Sequence, residues 1–60
     1  MKEYDDLKLK VAAVEEDLIR LEQKGNKAAG TRVRKGMQEI KALAQAIRVK
    51  VLELRAKAPE

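Results

Sequence analysis

Residues 21–35 read Leu21-Glu22-Gln23-Lys24-Gly25-Asn26-Lys27-Ala28-Ala29-Gly30-Thr31-Arg32-Val33-Arg34-Lys35, and the pair Gly25-Asn26 inside them decides the fold. Glycine tolerates the left-handed conformation that ends a helix, and asparagine is a good N-cap for the next one. No other internal stop is visible. The one proline, Pro59, is placed to stop a helix near the C-terminus.

Outward from that pair the apolar residues repeat with a helical period. Tyr4, Leu7, Val11, Val14, Leu18 and Leu21 precede it at spacings of 3, 4, 3, 4 and 3. Val33, Met37, Ile40, Ala44, Ile47, Val51, Leu54 and Ala58 follow it at 4, 3, 4, 3, 4, 3 and 4. These are heptad seams, and neither half alternates as a strand would. The predicted fold is all-α: an antiparallel, coiled-coil-like hairpin forming one domain over residues 1–60, with a helix from about 2 to 24, a turn at 25–26 and a helix from about 27 to 58. Gly30 and Gly36 each weaken the second helix by roughly 1 kcal/mol relative to alanine. They mark close packing, close approach of a phosphate, or a looser start; the alternative is an extended loop from 25 to 36 with the helix starting near Met37.

If Glu22 lies beside Lys27, paired residue numbers add to about 49, Glu15 faces Arg34, and Lys8 faces Lys41. The first helix is then used up opposite residue 48. The overhang to Ala58 carries Val49, Val51, Leu52 and Leu54, whose exposure forgoes several kcal/mol at about 25 cal/mol per Å². Leu9, Ile19, Leu43 and Leu52 lie off the seams and widen the apolar faces. Alanines make up nine of the 27 hydrophobic residues, so the core is thin for 60 residues without staples. The expectation is a homodimer, as a four-helix arrangement or as two hairpins packed through their second helices.

Composition narrows the function classes. The chain has no cysteine, histidine, tryptophan or phenylalanine, which excludes disulfides, Cys- or His-ligated metals and catalysis by histidine or thiolate. No apolar run reaches the roughly 18 residues of a membrane span, and no signal-peptide pattern opens the sequence. The acidic clusters Asp5-Asp6 and Glu15-Glu16-Asp17 read as solvated helix faces rather than a metal or acid/base site. Tyr4 and Met37, both on the seams, read as core. No catalytic residue, metal, cofactor, small-molecule substrate or membrane partner is expected.

Charge points elsewhere. Residues 1–23 carry a net −3, residues 24–35 a net +5 and residues 36–60 a net +2. The central block holds Lys24, Lys27, Arg32, Arg34 and Lys35 with no acid, beside small residues that let a backbone come near a phosphate. Lys27, Arg34, Lys41, Arg48 and Arg55 also recur every seven residues, so they form one column on a heptad helix, roughly 10 Å apart. Either they track a nucleic-acid backbone, or they flank a coiled coil and pair with acids such as Glu15 and Glu22. With no interleaved aromatic residues, base stacking is not expected, and nothing resembles a base-reading motif, although Gln38 and Gln45 are polar neighbours.

The string from Lys24 to Lys35 resembles the signature of the bacterial histone-like proteins typified by the chlamydial linker-histone-like protein: Glu/Gln-Lys-Gly-Asn-Lys-Ala-Ala-x-x-Arg-x-Arg between two helical segments. The likeness is close from Glu22 to about Lys41 and looser over most of the rest. It implies a cytoplasmic, nucleoid-associated protein that binds double-stranded DNA with little sequence preference and compacts it. Members of that family continue into a Lys/Ala/Pro-rich tail linked to compaction, while their helical part is linked to self-association. This sequence stops at Glu60, so the resemblance implies dimerisation at least as strongly as DNA binding. The expected phosphate contacts are Lys24, Lys27, Arg32, Arg34, Lys35, Lys41 and Arg48, the last two less securely carried by the resemblance. The alternative is an oligomerisation module with no nucleic-acid role.

Overall fold

The structure, a computed structural model, describes residues 1–57. Ala58, the last expected seam position, and the stop at Pro59 lie outside the described residues. Helix α1 runs over Lys2–Lys24 and helix α2 over Lys27–Lys57, and the two pack against each other in a body of 52 × 14 × 14 Å. The described residues contain no strand.

The turn works through the two residues between the helices. Gly25 has φ 61° and ψ 29°, and its N–H donates to the Leu21 carbonyl at 2.9 Å, closing the last turn of α1. A side chain at this backbone conformation would be strained, although space around it is open. Asn26 then opens α2: its Oδ1 accepts the Ala29 N–H at 3.1 Å. Replacing Asn26 with alanine removes that cap and is expected to cost about 1 kcal/mol, read as a lower melting temperature at fixed protomer concentration.

The second helix is continuous through Gly30 and Gly36, so there is no loop from 25 to 36. The two glycines differ. A Cβ on Gly30 would meet Leu21 Cδ1 at 3.5 Å, an ordinary contact. A Cβ on Gly36 would lie 2.5 Å from Val14 Cγ2. At Gly36 the helices approach too closely for a side chain, and Val14, 4% exposed, fills the space its missing side chain leaves.

Register follows from the cross-hairpin pairs. Lys10 Nζ bonds Glu39 Oε2, and Arg32 Nε donates to Asp17 Oδ1 at 3.0 Å; both pairs of numbers add to 49. The expected ion pairs at the same level, Glu22–Lys27 and Glu15–Arg34, are not formed among the described residues. The reason is a rotation of the packing faces. In α1 the inward residues are Leu7, Val14, Leu18 and Leu21, with Lys10 and Asp17 beside them; in α2 they are Ala29, Val33, Gly36, Ile40, Leu43 and Ile47. Tyr4 and Val11 of the expected α1 seam, and Met37, Ala44, Val51 and Leu54 of the α2 seam, are exposed. Tyr4 is 51% exposed, Val11 49% and Met37 46%, so Tyr4 and Met37 are not core. Lys8 Nζ stands 5.2 Å from the Tyr4 ring centroid instead. Leu43, expected off the seam, packs inward, while Leu9, Ile19 and Leu52 are exposed. Small residues explain the turn. Ala29 and Gly36 let the backbones close in, and that contact outweighs the greater hydrophobicity of the neighbouring Met37 stripe.

The rotation gives the hairpin two unlike edges. On one, Lys10–Glu39 and Asp17–Arg32 bridge the helices, with Arg20 also on Asp17 at 3.5 Å. On the other, Val11, Val14, Leu18, Met37 and Ile40 line an open apolar groove of about 520 Å³. The overhang of α2 lies beyond the end of α1, with Val49, Val51, Leu52 and Leu54 exposed.

Candidate nucleic-acid interface

The same rotation relocates the basic column. With Val33, Ile40 and Ile47 facing inward, Met37, Ala44 and Val51 lie at the edge of the contact, and Lys27, Arg34, Lys41, Arg48 and Arg55 come one step further round, on the outer face of α2. All five are exposed, and none is in an ion pair among the described residues. Glu15 and Glu22 occupy the equivalent outer row of α1 and reach none of them. A flank paired with acids within the chain is therefore not what the column is. It is an outer row of cations with a rise of about 10 Å between members.

The block at the hairpin tip is less uniform than its sequence suggests. Lys24 ends α1 and is exposed; Lys35, also exposed, borders the ion-paired edge with Arg32 and Glu39. Arg32 projects to that edge and its guanidinium is held by Asp17. Among the small residues, Ala29 and Gly36 are buried against α1 and serve helix packing, not the approach of a phosphate, while Gly30 is half-buried with room for a Cβ at 3.5 Å from Leu21. The Ala29 N–H, one of the free donors expected at the start of α2, is taken by Asn26. Thr31 Oγ1 donates back to the Lys27 carbonyl at 3.3 Å.

Of the seven residues expected to meet phosphate, the structure places Lys27, Arg34, Lys41 and Arg48 in one row, Lys24 at the tip, and Lys35 and Arg32 apart from the row at the ion-paired edge. Arg55 belongs to the row by the same spacing. What sequence reasoning lacked was the second edge: Lys10 and Glu39, spaced for the observed register, were the available signal for it.

Glu39 is the one group whose acidity is clearly moved. Its hydrogen bond from Lys10, then the charge of Lys10 and more weakly that of Lys35, hold the carboxyl below its ordinary value of 4.5. A carboxyl lowered in the folded state contributes stability above its unfolded value, and that contribution is lost as pH falls through the lower, folded value. Glu39→Gln should therefore flatten the decline of hairpin stability below about pH 4.5, followed by circular dichroism melts across pH 2 to 6. The half-exposed setting of the pair keeps the effect small.

Among the described residues no acidic cluster is arranged to hold a metal, and no helix is long and apolar enough to cross a membrane. Asp5 is 3.7 Å from Lys8, and Asp17 takes two arginines, so part of each acidic cluster is engaged in ion pairs.

The family model described as Histone H1-like protein Hc1 matches residues 1–57. The chain belongs to this family. The match takes in both helices, the Gly25-Asn26 turn and every cation of the outer row. No curated protein and no solved structure matches the chain. A Histone H1-like family is not a family of enzymes, and its name fits a molecule whose distinctive surface is a row of exposed lysines and arginines.

Proposed function

We propose that this Histone H1-like chain is a nucleoid-associated protein that dimerises and binds duplex DNA through its phosphate backbone, with little regard to sequence. The observation that carries the reading is the outer row of α2, with Lys27, Arg34, Lys41 and Arg48 exposed and without carboxylate partners among the described residues. Lys24 extends the row towards the tip, and Lys35 adds an exposed cation on the side of Arg32 and Glu39. Arg32 takes part by exchanging Asp17 for a phosphate. Arginine can fork onto two phosphate oxygens, and lysine supplies a mobile point charge. Contacts of this kind fix a protein on DNA without reading bases. The exposed apolar edge and overhang supply the dimer surface, in a four-helix arrangement, and a dimer presents two cationic rows for bridging or coating duplexes.

Gel-shift titration with random-sequence duplex at two salt concentrations tests it. If about five phosphates are neutralised per subunit, log affinity falls against log salt with a slope of about −4 to −5 per subunit. Equal affinity for unrelated sequences accompanies that slope. A dimer that leaves duplex DNA unshifted at moderate salt would instead identify a purely structural oligomerisation module.

A further inference from the structure

The apolar edge of the hairpin says how two copies meet. We infer that the dimer is formed edge to edge about a two-fold axis parallel to the helices, with both tips at one end, so that α1 of each copy covers α2 of the other. This rests on the dimer in the reading above and specifies its geometry.

Two hairpins whose apolar edges face each other have two closed arrangements. An axis across the helices stacks α1 on α1 and α2 on α2, with tips at opposite ends. An axis along the helices stacks α1 on α2 and keeps the tips together. In the second case rotation leaves every residue at its own height, so the hairpin's register also governs the contact between copies: a residue of the partner's α1 stands level with the α2 residue whose number completes 49.

That condition makes the exposed residues complementary. The edge positions of α1 are Tyr4, Val11 and Leu18; those of α2 are Gly30, Met37, Ala44 and Val51. Within one residue of that level, with numbers adding to 48, the partner's Leu18 arrives beside Gly30, the partner's Val11 beside Met37, and the partner's Tyr4 beside Ala44. The two bulkiest α1 residues thus meet the two smallest α2 positions. Gly30 carries weight here because the hairpin itself does not require it: a Cβ there makes only an ordinary contact with Leu21, yet glycine weakens the helix by about 1 kcal/mol.

Charge agrees at two of three levels. On the outer border of the edge, the partner's Glu15 stands level with Arg34 and the partner's Glu22 level with Lys27, opposite signs in both cases, while the partner's Lys8 stands level with Lys41, a like pair. The crossed-axis arrangement sets each cationic row against its own copy. The overhangs agree too. With tips together, both overhangs leave the bundle at the same end, where Val51 and Leu54, exposed in the hairpin, can cover each other. Lys41 and Arg48 stay outside these contacts and carry most of the phosphate binding, with Lys27 and Arg34 shared between carboxylate and phosphate.

The test uses the full chain, which has no native cysteine. A nitroxide on Gln23→Cys reports the distance between tips by pulsed electron resonance. The expected separation is within about 25 Å, two helix diameters plus the labels. Separate reversals Glu15→Lys and Arg34→Glu are expected to weaken dimerisation at least 10-fold each by analytical ultracentrifugation, and the double reversal to restore it. Tip labels near the 52 Å length of the molecule, or no rescue by the double reversal, would overturn the arrangement while leaving a dimer in place. A monomeric mass would remove the dimer altogether, and DNA binding is scored independently by the gel shift.

Discussion

Gly36→Val is expected to destabilise the fold by about 3 kcal/mol, a large share of what so small a chain holds. An added Cβ alone lands 2.5 Å from Val14 Cγ2, and Val14 is buried. A β-branched residue in a helix has little rotamer freedom, so Val14 cannot swing aside and the helices must separate. Valine at 36 adds two more methyl groups to that clash. Gly36→Ala is the finer probe, because helix propensity favours alanine by about 1 kcal/mol while overpacking opposes it by about 1–3 kcal/mol. A net loss is expected. Trimming the neighbour should recover it: in the Val14→Ala background only the Cβ remains, and the added carbon would lie 3.9 Å from it. The double variant should therefore be more stable than the two single losses add up to, with a coupling of about 1 kcal/mol or more in urea melts at matched concentration. A Gly36→Ala chain that melts higher than the parent would show that the helices do not meet at this point.

The combined change Lys35→Gln, Lys41→Gln and Arg48→Gln is expected to lower affinity for duplex DNA by roughly 100-fold at low salt and to reduce the salt slope by about 3. The loss should be the same for every sequence, since phosphate contacts carry no base information. Lys41 and Arg48 lie away from the ion-paired edge and Lys35 borders it beside Glu39; none of the three is itself in an ion pair among the described residues and all are exposed, so helix content should be unchanged. Arg32→Gln serves as contrast. Its guanidinium is already engaged by Asp17 at 3.0 Å, so its removal should change the slope by less than one lysine of the outer row does. A larger effect from Arg32 than from the triple change would move the interface to the ion-paired edge and refute the row.

Much of this architecture is written in the residue order. Gly25 and Asn26 do what their chemistry allows, one in the left-handed region and the other capping α2 through its Oδ1. The heptad spacing places both helices, and the level of the pairing across the hairpin is the one that numbers adding to 49 describe. The cationic column is legible for the same reason: a period of seven returns to one side of a helix whatever that side turns out to face.

Which side faces inward is a different matter. Each helix carries two adjacent apolar stripes, and hydrophobicity alone prefers the pair containing Tyr4, Val11 and Met37. Those residues are exposed in the structure, while Ala29 and Gly36, which a count of apolar side chains passes over, are buried. Residue order by itself determined two helices, their turn, their level and a basic row. Only the tertiary structure decided their rotation, because the closeness of two backbones depends on what is missing between them, and a missing side chain has no periodic signal of its own. From that rotation came both the ion-paired edge with Arg32 and the outward position of Lys27, Arg34, Lys41 and Arg48.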